Sequence, residues 1–331
     1  MTSKTIVFTK PQTAELQQKP LRRVERDLVE VKMEYTVVSG GTERACLMDM
    51  PNTIRVFPMT VGYCGVGYVI ETGDAVTKVT VGDRVLVYHG IHTQYNIIPE
   101  SDVTKVESDR IDSLEAALVI IASMGLGGVR KLELELGESA MVMGLGLLGM
   151  FSVQFCRLSG ANPVIAVDMN EDRRQLALKL GADYALDPRE EAFPEKVKQL
   201  TKGKGVNGCV EVTGSSAALH QALQCASWQG RISLLGCTRV SDCGIDFYTQ
   251  VHRPGIKLIG AHNFVRPKLE SYPHHWTHHD DCRAILDMID RDRLNVRIMV
   301  TRVVKPEQAP EIYTQLCTDP HFPIGTVFDW R

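Results

Sequence analysis

A glycine-rich segment in the middle of the chain has the spacing of a turn that holds a phosphate. Three glycines follow the apolar run Ala140–Met143 and precede a stretch with the apolar spacing of a helix. The first glycine would permit a tight turn, the second a close backbone approach to a pyrophosphate, and the third close packing of strand and helix. The pattern predicts a dinucleotide-binding turn. The residues expected at the pyrophosphate are Gly144, Gly146, Leu147, Leu148 and Gly149.

A carboxylate follows the next predicted strand. Asp168 closes the run Val-Ile-Ala-Val and lies 19 residues beyond Gly149. There it can accept hydrogen bonds from the adenosine ribose diol and would repel a 2′-phosphate. NAD(H) is therefore favoured over NADP(H). Arg173 could fold over the ribose, and Arg174 could soften the discrimination.

The predicted secondary structure around this motif differs between the two parts of the chain. Residues 4–106 contain short β segments broken by Gly and Pro, which is typical of a strand-rich, barrel-like domain. From Ser113 onward helical and strand patterns alternate, which predicts βαβ units and a parallel sheet. The chain then returns through a helix at 280–289 to β segments at 297–304 and 325–328.

The composition bounds the class of protein. A chain of 331 residues, 44% of them hydrophobic, can form two domains with substantial cores. A net charge of -3 without a basic stripe gives no reason to expect a nucleic-acid partner. No apolar run approaches the length of a membrane span, and the first residues lack the pattern of a signal peptide. We expect a cytoplasmic protein without membrane contact.

The residues that could bind metal lack the spacing of a metal site. None of the nine cysteines, Cys243 among them, forms a Cys-x2-Cys pair, so reduced thiols, many of them in the core, are expected. Four histidines lie between His274 and His279, but Thr277, Asp280 and Asp281 have the pattern of a capped helix start. We therefore expect a substrate-contacting or interface loop there.

Taken together, these segments resemble the medium-chain dehydrogenase/reductase superfamily, which contains the zinc alcohol and polyol dehydrogenases and their zinc-free relatives. Besides the glycine motif, the likeness rests on Gly181-Ala-Asp183, on Val79-x-x-Gly82-Asp-Arg-Val85 and on Gly325-Thr-Val-Phe. It runs nearly the whole length of the chain.

The resemblance implies an α/β fold in which a Rossmann domain, a doubly wound parallel sheet, is inserted in a GroES-like β-barrel catalytic domain. Residues 120–264 would bind NAD(H), residues 1–119 and 265–331 would form the catalytic domain, and the active site would lie in the cleft between them. Further cofactor contacts are expected at Thr213 and Gly236, and through backbone groups at Ala261 and Asn263. A homodimer or homotetramer is the corresponding expectation for assembly.

The departures from the superfamily pattern fall on its zinc ligands. Where zinc members carry Cys-Gly-Thr-Asp, this chain has Gly40-Gly-Thr-Glu, and where they carry Gly-His-Glu it has Gly62-Tyr-Cys. The third ligand position falls near Ile121 or Ala122, and no four-cysteine segment follows Tyr88. No zinc is therefore expected. The pattern is closer to zinc-free members such as bacteriochlorophyllide hydroxyethyl dehydrogenases and sugar or cyclitol dehydrogenases.

Without a metal, removal of an alcohol proton needs a side-chain base. The resemblance puts Thr42 where a Ser or Thr relays the proton toward the nicotinamide ribose, with Glu43 beside it. His89 and His92 fall at positions that line the substrate pocket, where two imidazoles suggest a polar substrate and a metal-free base. The alternative for both is a hydrogen-bonded loop residue.

Tyr63 and Glu43 each allow two interpretations. Tyr63 replaces a zinc ligand and could donate a hydrogen bond to a developing oxyanion, or it could fill the space that the metal leaves. Glu43 could take part in the chemistry, or it could be a structural partner of Arg44 or another cation.

The leading hypothesis is a zinc-independent, NAD(H)-dependent dehydrogenase that oxidises a secondary alcohol of a small polar substrate such as a sugar, polyol or cyclitol. Three alternatives remain open. They are a quinone or enone C=C reductase, a dehydrogenase of a tetrapyrrole hydroxyethyl group, and a non-catalytic NAD(H)-binding protein.

Overall fold

The chain forms two compact units. The computed structural model describes residues 2–242 and 244–331. The terminal unit comprises the chain as far as Ile121 together with Cys282–Arg331, and the central unit comprises Ala122–Asp281.

The elements are as follows in chain order. The strands are β1 Thr2–Lys10, β2 Thr13–Pro20, β3 Leu28–Val37, β4 Met59–Thr60, β5 Cys64–Thr72, β6 Arg84–Tyr88, β7 Tyr95–Pro99, β8 Val103–Lys105, β9 Ala140–Met143, β10 Val164–Val167, β11 Tyr184–Leu186, β12 Val206–Glu211, β13 Ala226–Leu234, β14 Lys257–Gly260, β15 Arg302–Val304 and β16 Thr326–Asp329. The α-helices are α1 Gly40–Leu47, α2 Ser113–Ala117, α3 Val119–Arg130, α4 Leu147–Leu158, α5 Glu171–Lys179, α6 Phe193–Leu200, α7 Ser216–Cys225, α8 His278–Asp290 and α9 Ala309–Thr318. Shorter helical turns are Glu100–Asp102, Tyr248–His252, Asn263–Val265, Arg297–Met299 and Pro306–Gln308.

The terminal unit is built on two sheets. The larger has the strand order β15-β16-β3-β5-β6-β8, with β7 also paired to β3, and the smaller has the order β2-β1-β4. The antiparallel pairing of β16 with β3 places Val327 opposite Val37, so both ends of the chain build one sheet. Helix α9, an element beyond those predicted, buries Ile312, Tyr313 and Leu316 in the core of this unit.

Three connections leave the larger sheet at one end. Thr36 of β3 pairs with Gly65 of β5, and Cys64 of β5 pairs with Tyr88 of β6. Because both pairings are antiparallel, the end of β3, the start of β5 and the end of β6 lie together. The residues that follow or precede these strand ends include Ser39, Tyr63 and His89.

The central unit contains the predicted parallel sheet. Its strand order is β11-β10-β9-β12-β13-β14, and each neighbouring pair is parallel. The order reverses between β9 and β12, which is the arrangement of a dinucleotide-binding fold with its ligand site beyond the carboxyl ends of these strands. The predicted fold class, a Rossmann domain combined with a GroES-like domain, is confirmed.

The unit boundaries differ from the predicted domain boundaries, chiefly at the second junction. Residues 265–281 were expected in the catalytic domain, whereas the structure groups them with the central unit. The buried side chain of Asp281 contributes to this grouping. Its carboxylate is held by Arg130 at 2.8 Å and by Arg266 at 2.7 Å, which ties this segment to α3. Residues 297–304 also differ, because Arg297–Met299 forms a helical turn and only Arg302–Val304 is a strand.

The cysteines that the structure describes are free thiols, as predicted, and Cys64, Cys156, Cys209, Cys225 and Cys282 are buried. Cys243 lies outside the described residues. Within the described part of the chain, no helix is long and apolar enough to cross a membrane.

Candidate functional site

Tyr63, at the start of β5, is hydrogen bonded to the end of β3. Its hydroxyl donates to Ser39 Oγ at 2.8 Å. Burial raises the pKa of the Tyr63 phenol well above its ordinary value, and the nearby Cys64 raises it further. The phenol therefore stays protonated at neutral pH. It can donate a hydrogen bond to an oxyanion, but it is poorly suited to remove a proton.

Glu43 is a buried carboxylate with several donors. Ser39 N–H donates to Oε1 at 2.7 Å, and the hydroxyl of Tyr313 donates to Oε2 at 2.5 Å. His92 Nε2 lies 3.2 Å from each carboxylate oxygen. The Glu43 side chain is only 2% exposed, so these partners replace water around the charge. Arg44, the cation considered from the sequence, instead points its guanidinium at the carbonyl of Cys317.

His92 is fully buried and both its ring nitrogens are engaged. Nδ1 lies 2.7 Å from Thr36 Oγ1, which also accepts a hydrogen bond from Trp330 Nε1 at 2.9 Å. If the neutral ring accepts a hydrogen bond from Thr36 at Nδ1 and donates one from Nε2 to Glu43, every polar group in this series of hydrogen bonds has a partner. The sequence predicted that His92 lines the substrate pocket, but the His92 side chain is instead fully buried. It belongs, with Glu43, to a buried polar network.

The environment of His89 is different. Its side chain is 51% exposed, its ring stacks on Tyr88 with centroids 3.7 Å apart, and its Nδ1 lies 3.1 Å from Asp102 Oδ1. Thr42 is also exposed, on α1. The five predicted catalytic residues thus fall into separate environments. Glu43 and His92 share one buried network, Tyr63 joins it through Ser39, and Thr42 and His89 lie outside it.

The predicted pyrophosphate turn has the geometry that its glycines require. Gly144 has a φ of +94°, and a methyl group on Gly149 would overlap the carbonyl oxygen of Gly144. Helix α4 begins at Leu147, so the N–H groups of its first turn face the position that an anion would occupy. The turn and helix can therefore hold a phosphate.

Asp168 is fixed between that turn and the next helix. Its carboxylate accepts hydrogen bonds from Leu145 N–H at 2.7 Å and from Asn170 N–H at 2.8 Å. The guanidinium of Arg174 donates to the Asp168 carbonyl at 2.7 Å and to Asp187 Oδ2 at 3.3 Å. Arg174 is therefore held by an acid and a carbonyl. The backbone N–H of Arg173 donates to the helix-capping Asn170 side chain at 3.1 Å.

The loop after β12 contains a buried acid that the sequence patterns did not reveal. Glu211 is 2% exposed, and its carboxylate accepts from the N–H and the hydroxyl of Thr213 and from the N–H of Gly214. Burial raises the pKa of Glu211. The loop lies against the glycine turn, because a methyl group on Gly144 would come within 2.8 Å of Thr213 Cγ2. The sequence signal that could have identified Glu211 is its position, because it is an acidic residue at the end of a buried strand.

The remaining predicted cofactor residues extend this edge of the sheet. Gly236 follows β13 and approaches the 212–214 backbone so closely that a side chain would overlap it. Ala261 follows β14 and donates its N–H to Leu234 at 3.1 Å, and Asn263 begins the next helical turn. Thr213, Gly236 and Ala261 thus follow three adjacent strands.

The histidine-rich segment is organised by helix capping and polar contacts. Thr277 Oγ1 accepts the N–H of Asp280 at 3.2 Å as α8 begins, which confirms the predicted capped start. His275 Nδ1 lies 3.3 Å from Lys131 Nζ, and His278 Nδ1 lies 3.1 Å from Ser123 Oγ. Across the residues that the structure describes, no three His, Cys, Asp or Glu side chains form a group able to hold a metal ion.

Comparison with known proteins identifies both parts of the chain. The family described as alcohol dehydrogenase GroES-like domain matches residues 25–129, and the family described as zinc-binding dehydrogenase matches residues 148–273. D-guloside 3-dehydrogenase of Escherichia coli (strain K12) is 25% identical over 335 residues, covering 94% of this chain and 95% of that protein. L-threonine 3-dehydrogenase of Pyrococcus furiosus is 31% identical over 211 residues, covering 54% and 59%.

A solved structure shows the same fold along the whole chain. Benzyl alcohol dehydrogenase from Acinetobacter calcoaceticus superposes with a TM-score of 0.86 and 17% identity, covering 99% of both chains. The matches to both domain families, in the order read from the sequence, agree with the sheet topologies of the two units. The chain therefore belongs to the medium-chain dehydrogenase/reductase superfamily of the zinc alcohol dehydrogenase type.

Proposed function

We propose that this protein is an NAD(H)-dependent, zinc-independent dehydrogenase that oxidises a secondary alcohol of a sugar, polyol or cyclitol to a ketone. The observation that carries the proposal is the hydrogen-bonded pair Tyr63 and Ser39 at a position where zinc members hold their metal. Membership of the superfamily indicates the class of reaction. The side chains at the zinc position indicate that this protein carries it out without the metal.

The residues at the expected zinc position do not fit zinc. Gly40 offers no side-chain ligand, Tyr63 is a protonated phenol, and burial raises the pKa of the Cys64 thiol, which favours the protonated form over the thiolate that binds metal. Ile121 and Ala122, near the third ligand position, are buried and apolar. The proposed chemistry therefore relies on side chains in place of a metal.

The central unit fits NAD(H). The first turn of α4 would bind the pyrophosphate, and Asp168 would accept hydrogen bonds from the ribose hydroxyls. The carboxylate of Asp168 opposes a 2′-phosphate, and Arg174, the nearby cation, is already held by Asp187. The bound nicotinamide would supply the hydride acceptor.

The terminal unit supplies the acid and base chemistry in this proposal. His89 has an exposed imidazole, so it is our candidate to take the hydroxyl proton of the substrate. Tyr63 stays protonated. Its one O–H proton, which bonds Ser39 Oγ in this structure, would turn to the substrate oxygen as negative charge develops there, and the Ser39 hydroxyl would then donate to the phenol oxygen. Glu43 and His92, which are buried, would hold Ser39 and hence the phenol in place.

The substrate class follows from this chemistry and from the relatives. A half-exposed imidazole and a phenol are polar groups that suit a substrate with several hydroxyls. A relative that matches along most of its length is named D-guloside 3-dehydrogenase, which acts on a sugar derivative. We therefore favour a ring hydroxyl of a sugar or cyclitol.

The test uses metal-stripped protein. NADH and NADPH are titrated by fluorescence, and turnover with NAD is then followed by nicotinamide absorbance over a panel of glycosides, polyols and cyclitols, with and without chelator. We expect tighter binding of NADH and turnover that survives the chelator. Activity restored only by added zinc would refute zinc independence, and turnover limited to enones or quinones with NADPH would refute the reaction.

A further inference from the structure

The imidazole of His89 is attached to a carboxylate through one nitrogen. Nδ1 lies 3.1 Å from Asp102 Oδ1, and Asp102 is the more buried member, 23% exposed against 51% for His89. Asp102 ends the helical turn Glu100–Asp102 that follows β7. The acid is therefore set in the framework, while the ring is presented at the surface of the terminal unit.

A stacking contact further restricts the His89 ring. The ring stacks on Tyr88 at an interplanar angle of 29°. With one nitrogen on Asp102 and one face on Tyr88, the ring has little freedom to turn.

The carboxylate determines which nitrogen carries the proton of the neutral ring. An ionised carboxylate only accepts hydrogen bonds, so it favours the tautomer with hydrogen on Nδ1. Nε2 is then left with its lone pair, as in other catalytic sites where a carboxylate orients a histidine base.

The strand register brings this base near the proposed hydrogen-bond donor. Cys64 and Tyr88 are paired across β5 and β6, so Tyr63 and His89 stand at the same end of adjacent strands. A proton acceptor and a phenolic donor at one strand end suit one substrate hydroxyl group.

We propose that Asp102 is a positioning residue that holds His89 in the Nδ1–H tautomer, so that Nε2 accepts the substrate hydroxyl proton. This inference rests on the proposed function. The O–H proton would pass to Nε2 of His89 and give an imidazolium, while the C–H hydrogen would leave with its electron pair as the C=O bond forms. A bound oxidised nicotinamide would supply the acceptor for that hydride. The two electrons lost by the alcohol would balance the reduction of the nicotinamide, and the exposed His89 ring would return its proton to water.

The first test measures the tautomer without substrate or cofactor. Nitrogen-15 NMR of labelled protein reports the protonation of Nδ1 and Nε2, and a His89→Gln variant assigns the signals. We expect the Nδ1–H tautomer in the wild type. In Asp102→Asn the amide can donate to Nδ1, so the Nε2–H tautomer should increase. Asp102→Glu, which keeps a carboxylate, should retain the wild-type pattern. An unchanged tautomer in Asp102→Asn would overturn the inference.

The second test measures turnover with the best substrate of the panel. Asp102→Asn should lower kcat by about 10²-fold with a smaller change in KM, because a general base typically contributes 10²-fold or more. Asp102→Glu should recover part of the loss, and Glu307→Gln, which removes a surface ion pair with Lys4, should have no effect. Wild-type kcat in Asp102→Asn would overturn the inference alone. Lack of turnover in the wild type would instead count against the proposed function.

Discussion

The hydroxyl of Tyr313 donates a 2.5 Å hydrogen bond to the carboxylate of Glu43, 270 residues earlier in the chain. The bond joins α9 to α1 inside the terminal unit. Together with His92 and Ser39, it surrounds a buried negative charge with donors. Desolvating a carboxylate is costly unless such bonds are made, so this network both stabilises the unit and fixes the residues beside Tyr63.

Removal of the Tyr313 hydroxyl tests that network. Tyr313→Phe deletes one donor to Glu43 and should lower the free energy of unfolding by about 1–3 kcal/mol, the typical cost of leaving a buried polar group short of a partner. Chemical denaturation measures the change. Tyr68→Phe on β5 is the matched control, because that ring is 40% exposed. Equal stability of the two variants would show that the bond contributes nothing.

Removal of the Tyr63 hydroxyl tests its proposed role as an oxyanion donor. Tyr63→Phe should reduce kcat by about 10²-fold, as observed when one oxyanion donor is removed, and loss of the hydrogen bond to Ser39 should lower the free energy of unfolding by only about 1 kcal/mol. Steady-state kinetics and thermal unfolding measure both. Ser39→Ala, which removes the acceptor and keeps the phenol, should reduce kcat less. If kcat is retained in Tyr63→Phe, the phenol only fills space.

Two glycines in the cofactor turn separate cofactor binding from folding. A methyl group on Gly146 meets no atom within 4 Å, whereas one on Gly149 would overlap the Gly144 carbonyl. Gly146→Ala should therefore keep the melting temperature and weaken NADH binding, because the second glycine admits the pyrophosphate. Gly149→Ala should lower both the melting temperature and the affinity for NADH. Fluorescence titration and thermal unfolding give the two readouts, and tight NADH binding by Gly146→Ala would contradict the assignment.

Asp168 is expected to set the choice of cofactor. Asp168→Asn replaces a charged hydrogen-bond acceptor with a neutral one, which should raise the Kd for NADH by about 10-fold, because a charged hydrogen bond is worth about 1.5–3 kcal/mol. It also removes the charge that repels a 2′-phosphate, so the ratio of the Kd for NADPH to the Kd for NADH should fall. Fluorescence titration with both nucleotides measures the ratio. The Leu145 N–H also bonds this side chain, so the melting temperature of the unliganded variant is the control. An unchanged ratio would exclude Asp168 as the determinant.

The buried Glu211 side chain should make the free energy of unfolding depend on pH. Burial raises the pKa of Glu211 in the folded protein. The contribution of the Glu211 side chain to the free energy of unfolding is fully present below its pKa in the unfolded chain, about 4.3. It is lost as the pH rises through its pKa in the folded protein. Relative to wild type, Glu211→Gln should therefore gain stability as pH rises above about 4.3. Urea denaturation across that range measures the difference, and a constant difference would show that Glu211 ionises normally.

Local sequence patterns were sufficient to predict the fold class and the outline of the cofactor turn. Glycine spacing, apolar runs and the acid after β10 are local patterns, because a tight turn and a strand end need particular residues at fixed positions along the chain. For the same reason the capped start of α8 could be predicted from Thr277 and its neighbours.

Only the tertiary structure separated His92 from His89 and revealed Tyr313, Ser39, Asp102 and Glu211. The two histidines lie three residues apart, yet one is sealed among Thr36, Glu43 and Phe328 and the other is half exposed on Asp102. Burial and hydrogen-bond partners depend on residues distant in the chain, as Glu43 and Tyr313 illustrate. Local spacing carries no information about such contacts, because long-range packing alone decides which polar groups lose water and which partners replace it.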